Sequence, residues 1–312
     1  MIPERFVLVS LAGAWMSLFG VQSQPPVFRA EAEAVTVSVS VRQGNVPVQG
    51  LTTSAFRLFD NDVLQEVTAV SQDSVPTDVS IVVDTSGSAF PDLNTARETV
   101  RGMTAFLRPV DRVRVLTMGN AVVNALPWQV PPQVDTSRIQ LVPGQISLVS
   151  DAVLMAMFHR TSPERRHLVV ALTDGEDLCS LVSGESLRNG ADRSGAVLHW
   201  ISVQLKRGQA RTLSPTEGVH AYCRTTSTPF DARPFLSDSV RRTGGTVHTA
   251  WYGADRVAVE AFDRIFDDFR QSYILHYIPR GVERSGWHRL RVEITAGHYS
   301  VRARPGYWAT VP

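Results

Sequence analysis

Lysine is all but missing from this chain: Lys206 is the only one, and arginine supplies the rest of the positive charge. That bias fits either codon usage or a preference for bidentate pairing with carboxylates. An excess of one sign is missing too. Acidic and basic residues nearly balance, leaving a formal net charge of +1, so no field is strong enough to gather nucleic acid or an anionic membrane surface. Past the N-terminal residues no apolar run is long enough to span a bilayer. Cysteine is scarce, with only Cys179 and Cys223. Two thiols without histidines at zinc spacing make a poor zinc site. In an oxidising compartment they read as a disulfide that closes a loop of about 45 residues, stabilising by roughly 4 kcal/mol in the chain-entropy model. Two unpaired buried thiols are the other reading.

Catalytic signatures are absent as well. There is no Gly-x-Ser-x-Gly elbow to present a nucleophile, and the eight histidines are scattered. No glycine-rich loop ends in Lys-Ser or Lys-Thr to cradle nucleotide phosphates, and Gly244-Gly245 precedes a strand, not a helix. Metal-assisted hydrolysis would need a general base beside the ion, and no histidine falls in the loops singled out below. The expectation is a protein that is not an enzyme and takes neither nucleotide nor nucleic acid.

What is present is enough apolar material to fold, 43% of the chain. Arg5, the apolar stretch from Phe6 to Val21 and the small-residue step Val21-Gln22-Ser23 read as an export signal over residues 1–23, with the mature chain starting near Gln24. An uncleaved N-terminal membrane anchor is the alternative. From residue 24 to 74 the pattern is β: Val35, Val37, Val39 and Val41 alternate with polar residues, and Asp60-Asn61-Asp62 reads as a hairpin turn between Leu58-Phe59 and Val67–Ala69.

Residues 75–271 read as α/β. Buried strands at Val79–Val83, Val113–Thr117, Ala121–Leu126, Leu168–Leu172, Val197–Val203 and Thr246–Trp251 alternate with helical periodicity. The first helix carries Leu93, Ala96, Val100, Met103 and Leu107 and stops at Pro109; the last, Asp255 to Arg270, has Phe262, Phe266 and Phe269 on its apolar stripe, placed for the core. Such alternation implies a central, mostly parallel sheet covered by helices on both faces. Residues 272–312 return to β, and neither end of the chain has enough strands for a core. Both ends are therefore expected to meet in one small β-sandwich, with the α/β domain inserted between them.

Asp84-Thr85-Ser86-Gly87-Ser88 follows the first buried strand directly, where open α/β sheets bind ligands. One carboxylate and two hydroxyls on a tight turn offer hard oxygens suited to Mg²⁺, Mn²⁺ or Ca²⁺ and not to zinc. Thr173-Asp174-Gly175 ends the strand Leu168–Leu172, so its carboxylate should face Asp84; Gly144-Gln145-Ile146-Ser147 supplies one more hydroxyl ahead of a helix. Glu176 and Asp177 read as solvated loop carboxylates near the rim. The long stretch from Lys206 to Pro234 reads as a surface elaboration pinned by the cysteines.

On these residues the chain resembles the von Willebrand factor A-type family, whose metal-ion-dependent adhesion site is built from Asp-x-Ser-x-Ser, a loop hydroxyl and a later Asp-Gly. That family usually has threonine in a Gly-Thr step where this chain has Ser147 after Ile146. The whole chain is also similar to a von Willebrand A-related group abundant in acidobacteria, through Gly50-Leu51, Phe56-Arg57-Leu58-Phe59-Asp60 and Val301-Arg302-Ala303-Arg304-Pro305-Gly306-Tyr307-Trp308. The resemblance implies a Rossmann-like domain that holds a divalent ion on Asp84, Ser86, Ser88, Ser147 and Asp174, leaving a vacancy for an aspartate or glutamate carboxylate of a partner protein. The expected function is exported, metal-dependent protein binding of an adhesion type, in the periplasm, the cell envelope or outside the cell. A structural or assembly protein that binds partners without using the metal is the rival. A subunit serving a cytosolic AAA-type ATPase conflicts with the export signal.

Overall fold

Valine at every second position starts the fold. The computed structural model describes residues 34–72, 75–158, 162, 164–205, 230–252 and 255–310; the expected signal segment and Cys223 lie outside them. In β1 (Val35–Gln43), Val37, Val39 and Val41 are buried, as period-two alternation requires of a half-buried strand. β2 (Val46–Pro47) folds back on its end, and β3 (Phe56–Asp60) and β4 (Val63–Gln65) follow, then β5 (Ala69–Gln72). The β3–β4 turn is where Asp/Asn chemistry places it, with Asn61 at φ 46° and Asp62 at φ 66°, the left-handed pair that a two-residue hairpin of this twist demands. Its returning strand is Val63–Gln65 and not Val67–Ala69, which instead leads into β5 of a different sheet.

The middle of the chain builds β6 (Thr77–Asp84), α1 (Leu93–Thr104), β7 (Arg112–Met118), β8 (Val122–Gln129), α2 (Val149–Phe158), β9 (Arg166–Thr173), β10 (Glu176–Asp177), α3 (Gly184–Arg193), β11 (Val197–Gln204), β12 (Phe230–Asp231), α4 (Arg233–Arg242), β13 (Val247–Trp251) and α5 (Asp255–Gln271). Helix α1 stops five residues short of Pro109, and bonds of the i→i−3 kind from Ala105, Phe106 and Leu107 tighten its exit. The central sheet runs β13-β11-β9-β6-β7-β8. Every pairing is parallel except β7 with β8, a hairpin whose short Gly119-Asn120-Ala121 link leaves no room for a crossover.

All eight residues of β6 are buried. Val79, Ile81 and Val83 join Val100, Met103, Phe262, Ile265 and Phe266 on one side of the sheet. Val82 joins Leu116, Val153, Ala171, Leu187 and Leu236 on the other. Helices α1 and α5 thus cover one face, and α2, α3 and α4 the opposite one. Chain direction reverses its sideways progress between β6 and β9, so the crevice beyond the carboxyl ends of those two strands is the topological switch point.

After α5 a single residue, Ser272, leads into β14 (Tyr273–Tyr277), followed by β15 (Gly286–Ile294), β16 (Ser300–Ala303) and β17 (Gly306–Ala309). These return to the N-terminal strands. One antiparallel sheet has the order β16-β1-β14-β5 with β2 on β1; the other is β17-β15-β3-β4. Their inner faces share one core, in which Val37, Val39, Tyr273 and Leu275 of the first meet Phe56, Leu58 and Leu290 of the second. The two sheets form a β-sandwich, and the α/β layers occupy the chain between β5 and β14. A seam joins the two: Asp268 of α5 accepts hydrogen bonds from Ser40 (2.8 Å) and Arg42 (2.6 Å) of β1 and pairs with Arg302 of β16. Arg304 donates to the carbonyls of Ala191, Asp192 and Ser194, closing the end of α3. Among the described residues no helix is long and apolar enough to cross a membrane.

Candidate metal centre

Asp84 is the last residue of β6 and is fully buried. Its Oδ1 accepts the backbone N–H of Ser86 at 2.9 Å, an Asx-type closure that turns the chain sharply off the strand. The same turn brings the Ser86 and Ser88 hydroxyls to 3.1 Å from each other. Ser86 is buried and Ser88 half-buried. Two further loops then close on this turn. Ser86 makes a parallel bridge with Gly144, and Gly144 N–H donates to the Thr85 carbonyl at 3.0 Å. That bridge carries Ser147 in, whose buried hydroxyl donates to both Asp84 oxygens at 3.2 and 3.3 Å. Ile146, where the resembled family has glycine, packs with Leu148, Leu178 and Cys179 in a small apolar cluster under the loops.

The third loop follows β9. Thr173 Oγ1 donates to Asp84 Oδ2 at 2.7 Å and accepts the N–H of Gly175 at 3.0 Å. Asp174 is half-buried and accepts the Glu176 N–H at 3.0 Å. Gly175 has φ +83°, and a Cβ there would sit 2.5 Å from Arg233 Cγ and 2.9 Å from Trp200 Cζ2; only glycine fits both the angle and the space. Trp200 Nε1 donates to the Thr173 carbonyl at 2.9 Å, fixing the strand end from the neighbouring strand.

Burial and the charge of Asp174 push the Asp84 carboxyl up from its ordinary value to about 7, while hydrogen bonds from Ser86 and Thr173 pull the other way. The structure therefore brings Asp84, Ser86, Ser88 and Ser147 together through hydrogen bonds; Asp174 is the neighbour of Thr173 in the loop after β9, and no hydrogen bond among the described residues joins it to the other four. Among the described residues no group of three or more His, Cys, Asp or Glu side chains is clustered as metal ligands. The donors here are two carboxylates with hydroxyls, an all-oxygen set matched to a hard divalent ion and unmatched to zinc. A cation between Asp84 and Asp174 would also relieve the repulsion that lifts the Asp84 pKa.

Two residues depart from what the sequence leads one to expect. Thr173 is not among the expected ligands, yet its hydroxyl makes the shortest contact to Asp84; its place beside Asp174 at a strand end is the available signal. Asp177 is not a solvated carboxylate. It is buried and accepts the N–H groups of Ser150 (2.8 Å), Cys179 (3.3 Å) and Ser180 (3.0 Å), capping α2 from another loop. Asp151 answers from the helix side, accepting from Leu181 and Val182. Glu176 is exposed, as expected. Cys179 is buried, while its expected partner Cys223 lies outside the described residues.

No protein-family model matches the chain, and no curated protein matches it in sequence. Solved structures with a similar outline exist. BatB from Bacteroides thetaiotaomicron is 16% identical, with a TM-score of 0.40 over 62% of this chain and 98% of that one. A von Willebrand factor type A protein from Catenulispora acidiphila is 10% identical, with a TM-score of 0.46 over 91% of this chain and 76% of that one. The manganese-loaded TRAP protein of Plasmodium vivax is 12% identical, with a TM-score of 0.42 over 80% of this chain and 97% of that one. With TM-scores below 0.5 these likenesses leave the family open.

Proposed function

We propose that this chain is an exported, non-enzymatic protein-binding module of the von Willebrand factor A type. In this reading Asp84, Ser86, Ser88, Ser147 and Asp174 hold a magnesium or manganese ion, with calcium as the third candidate. The single observation that carries it is the convergence on one buried carboxylate, at the switch point of the sheet, of hydroxyls from two loops, of the Ser86 backbone N–H from a third, and of a second carboxylate's charge. Oxygens that converge this way from distant segments are costly to desolvate unless a charge partner arrives.

Each residue has a separable task. Asp84 supplies the buried negative charge, and its backbone contacts fix the turn that aims Ser86 and Ser88. Ser147 offers its hydroxyl oxygen to the ion while donating to Asp84, and Thr173, outside the five, orients the Asp84 carboxylate in the manner of an outer partner that sets a ligand's direction. Asp174, half-buried like Ser88, adds the second carboxylate at the mouth. A divalent ion in such a set supplies a positive seat with room for one carboxylate oxygen from a partner protein.

The rival is an assembly protein whose α/β domain binds partners with this site serving only to hold three loops together. Capture of partners from an envelope extract separates the two. Under the metal reading, proteins retained in Mg²⁺ are released by EDTA and are not retained by Asp84→Ala, while that variant still unfolds in one cooperative transition. Retention that survives both EDTA and Asp84→Ala supports the rival and removes the metal from the function.

A further inference from the structure

The outward face of the β17-β15-β3-β4 sheet carries a pattern that the metal reading does not use. Side chains on this face alternate with those of the sandwich core, and they are aromatic or arginine far more often than a solvated sheet face needs. Trp287 and Trp308 stand directly opposite each other on β15 and β17, 38% and 40% exposed. Gly306 sits diagonal to Trp287, and a Cβ there would fall 2.4 Å from Trp287 Cζ2 and 2.8 Å from Cε2. The indole therefore packs against the glycine, and the residue remains 38% exposed. Arg193 stacks on Trp308 with Cζ 4.3 Å from the ring, and Arg291 stacks on Phe59 at 3.9 Å.

The charge on this face is uneven. Arg57, Arg193, Arg289 and Arg291 stand against Asp62 and Glu293, four guanidiniums to two carboxylates. Arg289 pairs with Asp62, and Arg57 and Arg291 share Glu293. These pairs are solvent-exposed, so an incoming carboxylate exchanges with them at little cost. An open sheet face with the Trp287 indole beside exposed planar cations suits a chain-like ligand and not a small molecule that needs a cavity.

We propose that this face binds an acidic polysaccharide, with uronic-acid units as the recognised chemistry. The C–H face of a pyranose is weakly positive and packs on the electron-rich face of an indole, here Trp287. The uronate carboxylate fits the guanidinium fork, here Arg289 or Arg291. Single-stranded nucleic acid also stacks on aromatics, but it carries one phosphate per unit and draws its affinity from many cations. A surplus of two guanidiniums, in a chain of net charge +1, favours the less densely charged polymer. The proposal is independent of the metal site.

Affinity electrophoresis of the full chain through gels containing polygalacturonate, neutral dextran or an oligothymidylate tests it. Retardation by polygalacturonate alone is expected, weakening with salt and unaffected by EDTA or by Asp84→Ala. Trp287→Ala and Arg289→Gln should each weaken it at least tenfold with far-ultraviolet circular dichroism unchanged; Arg289→Gln touches no packing, so it stands if Trp287→Ala misfolds. Absence of retardation by polygalacturonate, equal retardation by dextran or oligothymidylate, or full retention in Arg289→Gln overturns the proposal.

Discussion

Asp84 is the residue on which the site's electrostatics turn. Unfolded, its carboxyl loses its proton near 3.8; folded and metal-free, near 7. Between those values the native state binds the extra proton, so stability falls as pH rises through the window and levels off above it. The full difference corresponds to a destabilisation on the order of 4 kcal/mol at high pH. Asp84→Asn keeps the shape and removes the charge. In EDTA its melting temperature should exceed that of the unaltered chain by a margin that grows from pH 4 to pH 7 and then stays constant; a margin independent of pH would contradict the assignment. Metal uptake must expel that proton below pH 7. Calorimetry at pH 6 in buffers of different ionisation enthalpy should register close to one proton released per ion, and at pH 8 close to none, with apparent affinity rising up to tenfold per pH unit below 7.

At the scale of elements, the loops are held by residues outside the five that would hold the ion. Asp177→Ala strips three buried backbone N–H groups of their acceptor, at a cost of about 3 kcal/mol. The urea midpoint should fall with its slope unchanged, and manganese affinity should fall with it; Glu176→Ala, one residue away and exposed, should alter neither. Gly175→Ala forces a side chain into a left-handed position against Trp200 and Arg233, and is expected to lose about 2 kcal/mol. A midpoint within error of the unaltered chain would mean that the loop relaxes freely. How much of this is legible in the sequence follows from locality. The strand that ends in Asp84, the valine alternation of β1 and the Asp60-Asn61-Asp62 turn are local patterns, and they read correctly. The cap that Asp177 gives to α2 joins residues 27 apart, and the hydroxyl of Thr173 reaches Asp84 across 89 residues; no window of sequence contains either contact. Strand β17 escapes a sequence reading because Gly306-Tyr307-Trp308-Ala309 is too short for periodicity and finds its place only by pairing with β15.

At the scale of the whole molecule, the α/β layers and the sandwich meet through charged contacts and two chain crossings, β5 to β6 and α5 to β14, the second across Ser272 alone. Asp268 pairs with both Arg42 and Arg302 at that seam. Removing it leaves two guanidiniums facing each other in partial burial, which should cost on the order of 2 kcal/mol. Calorimetric unfolding of Asp268→Ala should broaden or split into two transitions where the unaltered chain shows one; a single unshifted transition would make the seam energetically idle. The sequence anticipates that the chain's two ends share a sandwich because neither end alone could bury its strands, and Val39, Leu58 and Leu290, drawn from both ends and both sheets, do lie in one core. The pairing of Cys179 with Cys223 and the export of the chain are expectations that the described residues do not touch. The central claim is that three loops form one seat for a hard divalent ion, and the most direct measurement is a calorimetric titration of Mn²⁺ into the chain at pH 8, run beside Asp84→Ala. Uptake of one ion by the unaltered chain and none by the variant is the expected result; no heat in either, or equal uptake in both, would contradict it.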